Sequence, residues 1–193
     1  MKGKIIAIII LIILIFSTIF ITFNKTSKNT ITKTPYYSLD IDGDPVYLDE
    51  NNAKVSNAKK VSEEFCKVRL NVDYNTFDYT KEYKYYINDL YENAMKNKQY
   101  EQLEKYYNLY KIVEHCDSTK VKRIKFYTKQ GNEECRADLI YNYTLKNATQ
   151  GFLNKYKYKL NTHYQNRISI YMKIENDIWK ISNWEIGTKK ELN

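Results

Sequence analysis

Glycine and proline are scarce in this chain, whose 193 residues include five glycines and two prolines. Collagen-like, linker-rich and low-complexity proteins need far more of both, so these classes are excluded. Three cysteines are too few for a disulfide scaffold or a cysteine-only zinc site, and two histidines argue against a histidine-rich metal centre. The remaining composition, 43% hydrophobic and 28% charged, is typical of one globular domain.

Motifs of the common enzyme classes are also missing. The chain has no G-x-S-x-G, no phosphate-binding Walker loop, no H-E-x-x-H and no paired-cysteine metal spacing. We therefore predict that the protein is not an enzyme. We predict no catalytic, cofactor-binding or metal-binding residues and no cofactor.

The net charge is +8, because the chain has 31 lysines and arginines and 23 acidic residues. Most of the basic residues are lysines, and the arginines are Arg69, Arg123, Arg136 and Arg167. Proteins that read nucleic acids favour arginine. Ile, Lys, Asn and Tyr are abundant together and share AT-rich codons, which points to a low-GC bacterial genome. We predict no direct nucleic-acid partner.

One long uncharged run, residues 5–23, follows Lys2 and Lys4. As a helix, this run would span roughly 28 Å, the thickness of the hydrocarbon core of a bilayer. A short basic flank favours a cytoplasmic N-terminus. We therefore predict a single-pass membrane protein that contacts the lipid bilayer through residues 5–23 and has an extracytoplasmic C-terminal domain.

A cleaved signal peptide is the alternative. Its apolar region is usually ~7–15 residues long and ends at a small-residue site. Here the run is longer, no alanine follows Ala7 until Ala53, and no cysteine follows the run as a lipoprotein acceptor. These features favour an uncleaved signal anchor.

Residues 24–52 are predicted to be a polar spacer. Its second half carries an acidic cluster made of Asp40, Asp42, Asp44, Asp49 and Glu50. Carboxylates bind calcium, but an EF-hand register places Pro45 at the glycine position and Asn51 at the glutamate position. A polar turn before the first helix is the favoured interpretation.

Apolar spacing predicts three helices. The first stripe is Ala58, Val61, Phe65, Val68 and Val72; the second is Tyr83, Ile87, Leu90, Tyr91 and Ala94; the third is Tyr100, Leu103, Tyr107 and Tyr110. Tyrosines at this spacing can stack on single-stranded nucleic acid. We favour packing in a core, with the hydroxyl groups reaching the surface.

After Lys111 the apolar period changes to two, which predicts strands. They are expected over residues 121–128, 139–145, 168–174 and 178–186, with a hairpin turn at 129–132. Residues 147–153 are expected to be a break, and the alternation of lysine and tyrosine weakly favours a strand over 154–163. In a strand, this alternation places the lysines on one face and the tyrosines on the other. The two sets of side chains could not then bind one nucleic-acid strand together.

These elements predict an α+β fold. We expect an N-terminal transmembrane helix and then about three helices packed on a curved antiparallel sheet of about four strands. The chain is divided into a cytoplasmic stub (1–4), the membrane segment (5–23), the spacer (24–52), the extracytoplasmic α+β domain (53–187) and a tail (188–193).

An odd number of cysteines leaves at least one thiol free. If Gly131 and Asn132 form the hairpin loop, Cys135 faces Thr128, and Cys116 lies too far upstream to reach it. We predict three free structural cysteines. A nucleophile built from Cys116 and His115 is disfavoured because adjacent residues seldom point at each other.

A site between helices and sheet would need a buried acid or histidine with a shifted pKa. Asp138 and His163 are the candidates for that role. Each also has a plain structural interpretation, as a charge at a strand edge and as a loop residue. We favour the structural interpretation for both residues.

The element order resembles the cystatin-like α+β roll of the nuclear transport factor two superfamily. The resemblance covers residues 53–187 and rests on the first two predicted helices and the closing hairpin, where Glu175-Asn176-Asp177-Ile178-Trp179-Lys180-Ile181 is similar to the family's last turn. It implies a cone between the helices and a curved sheet. Members include isomerases and dehydratases with an acid–base group in the cone, and also non-catalytic binding and assembly modules.

The whole layout resembles the bitopic assembly subunit of type IV secretion systems and its relatives in Gram-positive conjugative elements. This resemblance implies a non-enzymatic interaction or scaffold domain in a transfer channel. Its partners would be other envelope or transfer-machine proteins and further copies of itself. The alternatives are an envelope protein that binds a small ligand in the cone, or an isomerase- or dehydratase-type enzyme.

Overall fold

The structure is a computed structural model that describes residues 33–192. Within this range, the helices are α1 (Ala53–Leu70), α2 (Thr80–Tyr83), α3 (Asn88–Lys96), α4 (Gln99–Tyr110) and α5 (Gln150–Tyr156). The strands are β1 (Tyr36–Leu39), β2 (Pro45–Tyr47), β3 (Val72–Asp73), β4 (Val113–Lys129), β5 (Asn132–Asn147), β6 (His163–Glu175), β7 (Ile178–Ile186) and β8 (Lys190–Glu191). The elements confirm an α+β class.

All eight strands belong to one sheet, in the order β2-β1-β4-β5-β6-β7. In addition, β3 pairs with β4 and β8 pairs with β6. β1 runs parallel to β4, with Tyr36 opposite Ile124 and Ser38 opposite Phe126. The other strand pairs are antiparallel, so the sheet is mixed.

The prediction of an antiparallel sheet with about four strands is therefore wrong. The four long strands lie where alternation was found, although β4 begins earlier, at Val113. The other strands contain only four, three, two and two residues. Such short segments are too brief to show an apolar period, and the parallel pairing arises from one of them, β1.

The membrane-spanning helix predicted over residues 5–23 lies outside the described residues. Among the helices of residues 33–192, none is long and apolar enough to cross a membrane. The described part of the predicted spacer, residues 33–52, contains the short strands β1 and β2.

Two local predictions are also wrong. The second predicted helix is interrupted between α2 and α3 because Tyr85 and Ile87 instead hydrogen bond to the backbone of Ile181 in β7. The strand favoured over 154–163 is absent from this segment, where α5 ends at Tyr156 and Lys157 takes a left-handed conformation with φ 56°. The alternating tyrosines of residues 154–163 therefore belong to the end of a helix and the turns that follow it, and not to a strand.

Helix α1 packs on the inner face of the sheet. The Asn52 side chain accepts a hydrogen bond from the Lys54 amide and so caps its start. Its buried face includes Phe65, whose ring centroid lies 5.4 Å from that of Trp184 and 6.1 Å from that of Tyr86. These contacts join α1, the segment before α3 and β7 in one core.

Alternate residues of β5 and β6 form the floor of this core. The buried residues are Cys135, Ala137, Leu139, Tyr141, Tyr143 and Leu145 from β5 and Tyr164, Ile168, Ile170 and Met172 from β6. All three cysteines are buried and unbonded, as predicted. The hairpin loop is Gln130-Gly131, with φ of 51° and 78°, so Cys135 faces Phe126 rather than Thr128.

Candidate ligand-binding site

Glu114 is an acidic residue at an inward-facing position near the start of β4. It lies opposite Leu145 of β5 and Val72 of β3, both of which are buried. Side chains in register on neighbouring strands point to the same face of a sheet. The register therefore directs the Glu114 carboxyl into the interior.

Two chambers meet at Glu114 and Val72, since both residues line each chamber. The acidic chamber has a volume of about 480 Å³, and its other charged or titratable lining residues are Asp73, Asp78, Lys81, Glu82, His115 and Lys146. The tyrosine chamber has a volume of about 220 Å³, and its aromatic lining residues are Tyr106, Tyr107, Tyr141, Tyr143, Phe152 and Tyr158. Glu114 is therefore accessible to a ligand in either chamber.

Loss of water around the Glu114 carboxyl raises its pKa to about 8. No hydrogen bond or neighbouring charge from residues 33–192 adds to this effect or opposes it. The carboxyl is therefore mostly protonated at neutral pH, where it can donate a hydrogen bond. A half-buried, isolated acid in a cleft with a strongly shifted pKa is typical of functional sites.

The tyrosines around Glu114 remain neutral phenols. Burial raises the pKa of Tyr107, Tyr141, Tyr143 and Tyr158, and the charge of Glu114 raises each of them further. The hydroxyl groups of Tyr143 and Tyr158 lie 2.8 Å apart and share a hydrogen bond. These rings give the tyrosine chamber apolar walls with polar edges.

An ion pair lies between the two chambers, since Arg69 lines the tyrosine chamber and Glu82 lines the acidic chamber. One guanidinium nitrogen of Arg69 lies 2.9 Å and 3.2 Å from the two carboxylate oxygens of Glu82. The Tyr86 hydroxyl donates to the same carboxylate at 2.7 Å, and the Arg69 guanidinium stacks over Trp184. Because Arg69 and Glu82 neutralise each other, Glu114 is left without a counter-ion among residues 33–192.

Asp138, one of the two sequence-based candidates, lies on the outer face of the sheet and away from both chambers. Its carboxylate accepts hydrogen bonds from Arg123 at 2.5 and 2.9 Å, from Arg136 at 2.8 Å and from Ser169 at 2.8 Å. Burial pushes the pKa of Asp138 upward, but these hydrogen bonds outweigh it and hold the pKa below its ordinary value. Asp138 is a structural charge.

His163, the other candidate, also lies outside the chambers; it is the first residue of β6 and pairs with Thr144 of β5, so its interpretation as a loop residue is wrong. Its Nδ1 is 2.9 Å from the Thr144 hydroxyl and 3.2 Å from the Asp117 carboxylate, and the side chain is exposed. Cys116 is buried while His115 is exposed, and burial raises the pKa of the Cys116 thiol to about 11. A thiol with this pKa is a poor nucleophile at neutral pH.

The acidic cluster of residues 40–50 forms a turn. One carboxylate oxygen of Asp40 accepts hydrogen bonds from the amides of Asp42 and Asp44, at 3.0 and 2.8 Å. Across residues 33–192, no group of three or more His, Cys, Asp or Glu side chains is placed to hold a metal ion. This local geometry agrees with the polar-turn interpretation.

A groove of about 580 Å³ crosses the outer face of the sheet around Asp138. Its basic residues are Lys122, Arg123, Arg136 and Arg167, three of which belong to the four arginines of the chain. Asp138 is its one acidic lining residue within the described range. The outer groove is therefore strongly cationic.

Sequence reasoning missed Glu114, and the signal that could have found it is weak. Glu114 precedes the clear alternation of residues 121–128 by seven positions, and a register shift in β4 between Cys116 and Ser118 separates them. The one local indication that Glu114 points inward is its position two residues before the buried Cys116, on the same face of β4. The chamber itself needs residues of β5 and of the turn after α5, which are remote in sequence, in addition to the nearby helix α4.

We expect Glu114→Gln to change how stability depends on pH. The pKa of Glu114 is about 8 in the folded chain and about 4.3 in an unfolded one, so the folded state retains a proton that the unfolded state loses. Stability therefore falls as pH rises between these values, by on the order of 4 kcal/mol. Chemical denaturation at about pH 5 and pH 8 measures this fall, which the amide removes.

The matched control is Glu104→Gln, because Glu104 is exposed on α4. This variant should follow the wild-type chain at both pH values. An identical pH dependence in the wild-type chain and Glu114→Gln would contradict the burial of an unpartnered carboxyl.

Neither a model of a known protein family nor a curated protein matches this chain. Function is accordingly inferred from the side chains that line the two chambers and the outer groove.

Proposed function

We propose that this protein is a non-enzymatic, extracytoplasmic binding domain held at a membrane, and that it binds a small ligand beside Glu114. One observation carries the proposal: Glu114 is half-buried, lines both chambers and has no hydrogen-bond partner among residues 33–192. Partial removal of its carboxyl from water costs free energy while the carboxyl stays unpaired. A ligand that pairs with Glu114 would recover it.

The dimensions of the chambers support a small ligand. Binding sites for small molecules usually occupy ~300–1,000 Å³ and combine apolar walls with a few convergent polar groups. The acidic chamber, at about 480 Å³, lies within this range, and the tyrosine chamber adds about 220 Å³. Tyrosine and phenylalanine rings supply the walls, and Glu114 supplies the polar group at their junction.

Binding is favoured over catalysis because Glu114 lacks an orienting partner. General acids and bases act from a fixed position within hydrogen-bond reach of the reacting atom. The Arg69–Glu82–Tyr86 network is well ordered, but its charges are already paired. Glu114, the group free to act, receives no orienting hydrogen bond from the described residues.

The location at a membrane is supported by the sequence alone. Residues 5–23 carry no charge, and Lys2 and Lys4 precede them. Attachment through this run would leave the following residues on the outer side, with the N-terminus in the cytoplasm. A tethered domain of this kind would present its chambers to ligands of the cell envelope.

Bulky residues at the chambers should abolish ligand binding. Thr76 lines the acidic chamber and Ile186, which is 46% exposed, lines the tyrosine chamber. We expect Thr76→Trp or Ile186→Trp to weaken binding of fragments found with the wild-type chain at least about tenfold, a loss of about 1.4 kcal/mol. Ligand-observed NMR on the full chain in lipid nanodiscs measures this change.

Matched controls for the blocking variants exist at exposed positions outside both chambers. Thr128→Trp makes the same substitution as Thr76→Trp on an exposed position of β4, and Ile178→Trp does so for Ile186 on the same strand, β7, where Ile178 is 55% exposed. Both controls should bind fragments as the wild-type chain does. Fragments that bind all five proteins equally, or a screen without any binder, would contradict a ligand site at Glu114.

A second candidate function, a scaffold that contacts other envelope proteins or further copies of itself, is favoured by the outer groove. Three arginines and Lys122 surround one carboxylate there, so the surface suits an acidic partner. The resemblance to conjugation assembly subunits agrees with such a role. Weak contacts would be strengthened because a membrane concentrates the subunits.

Crosslinking in native membranes tests the scaffold role. We expect the full-length chain to recover channel subunits or conjugation ATPases, identified by mass spectrometry, and we expect Lys122→Glu with Arg167→Glu to lose them. Lys60→Glu with Lys67→Glu, on the exposed side of α1, is the control with equal charge change. Recovery of the chain alone, or equal recovery by both variants, would contradict the scaffold role.

A further inference from the structure

We propose that the ligand of the tyrosine chamber is a small organic cation, a substituted ammonium compound whose positive charge lies beside Glu114. This inference rests on the proposed function, because it names the chemical class of the ligand bound at that site. Four features of the described residues support it: the aromatic walls, an ammonium group already bound by the same tyrosine cluster, the charge of the neighbouring chamber and the unpaired carboxyl.

Six aromatic side chains wall the tyrosine chamber: Tyr106, Tyr107, Tyr141, Tyr143, Phe152 and Tyr158. Their rings form a continuous cluster, with centroids 5.5 Å apart for Tyr141 and Tyr143, 6.5 Å for Tyr143 and Tyr158, and 5.6 Å for Phe152 and Tyr158. The face of an aromatic ring carries negative potential and attracts cations. Aromatic walls with one carboxylate are the arrangement that recognises substituted ammonium groups.

The protein's own Lys189 shows that this cluster accommodates an ammonium group. The Lys189 Nζ lies 3.3 Å from the centroid of Tyr158 and 5.2 Å from that of Tyr164. It also donates hydrogen bonds of 2.7 Å to the carbonyl oxygens of Tyr156 and Lys157. Lys189 is not a lining residue of the tyrosine chamber, so a ligand cation would occupy a separate place.

The charge around the chambers also suits a cation, although the whole chain carries +8. The acidic chamber has four carboxyl groups, Asp73, Asp78, Glu82 and Glu114, against the two lysines Lys81 and Lys146. Arg69 of the tyrosine chamber pairs with Glu82, so the two linings together hold four carboxyl groups against three cations. Once Glu114 is ionised, it supplies the one excess negative charge, which favours a cation over an anion.

Binding of a cation would release the proton of Glu114 to solvent, because an ionised carboxylate pairs with the ligand and a protonated carboxyl does not. With a pKa of about 8 for Glu114, the affinity for a permanent cation should rise about tenfold per pH unit from about pH 6 to pH 7 and level off near pH 8. A neutral ligand that accepts a hydrogen bond from Glu114 would show the opposite trend.

Other groups that face Glu114 do not produce this profile. The charged ones are Arg69 from α1, Asp73 from β3, Asp78 and Lys81 near α2, Glu82 from α2 and Lys146 from β5. The phenols from α4 and β5 and Tyr158 stay neutral, as does Cys116, because their pKa values are raised. His115 lies beside Glu114 on β4 and lines the acidic chamber, and His115→Gln removes any contribution from its imidazole.

The test compares choline with its neutral carbon isostere, 3,3-dimethyl-1-butanol, on the full chain in lipid nanodiscs. Titrations followed by NMR from about pH 6 to about pH 8.5 cover the ionisation of Glu114. We expect choline to bind with an affinity that rises with pH in the wild-type chain, in His115→Gln and in Glu104→Gln. In Glu114→Gln we expect choline to bind at least about tenfold more weakly at pH 8, without the pH dependence.

The outcomes separate the two proposals. If the isostere binds as tightly as choline and Ile186→Trp abolishes both, the ligand site stands and the cationic class is wrong. If choline fails to bind at millimolar concentration while other fragments bind the wild-type chain and not Ile186→Trp, the class is also wrong. If no compound binds in a manner sensitive to the blocking variants, both proposals fail.

Discussion

Antiparallel pairing of β4 with β5 extends from Val113 and Asn147 at one end to Lys129 and Asn132 at the hairpin turn. The orientation of each side chain on these strands depends on this register, because a shift of one residue would turn the whole inner face outward. The register places Glu114 beside buried Leu145 and sends Asp138 to the opposite face. The inner chambers and the outer cationic groove are thus two consequences of one pairing.

Glu114 loses part of its water shell because aromatic residues pack against the end of the β4–β5 pair that begins at Val113. Helix α4 brings Tyr106 and Tyr107, β5 brings Tyr141 and Tyr143, and the turn after α5 brings Tyr158. None of these phenols forms a hydrogen bond with the Glu114 carboxyl, and Arg69, the cation of the tyrosine-chamber lining, is bound to Glu82. The carboxyl is therefore held as a neutral acid until a group of suitable charge or polarity enters. This state gives the site its expected sensitivity to pH.

Local patterns in the sequence predicted part of this architecture. Period-two alternation located the long strands, and the 3.6-residue stripe of Phe65 and its neighbours located α1, because a half-buried element repeats its pattern several times. The short strands contain too few residues to show a repeating apolar pattern. The parallel pairing of β1 with β4, which makes the sheet mixed, therefore could not be predicted. Lysine and tyrosine alternate after Asn154 for another reason: Tyr156 lies at a helix end and Tyr158 packs in the core. Glu114 could not be recognised because no local pattern shows that Tyr141 and Tyr158, 27 and 44 positions away, meet nearby α4 around it.

The central claim, that Glu114 is a neutral acid in an interior site, can be tested most directly by ¹³C NMR of its side-chain carboxyl carbon in the full chain. Comparison of the wild-type chain with Glu114→Gln assigns the resonance, and a pH titration gives its midpoint. The account predicts a midpoint near pH 8. It also predicts that a bound ammonium compound lowers this midpoint, because the cation stabilises the carboxylate. A midpoint near the ordinary value of ~4.3 would show a solvated carboxylate and would contradict the account.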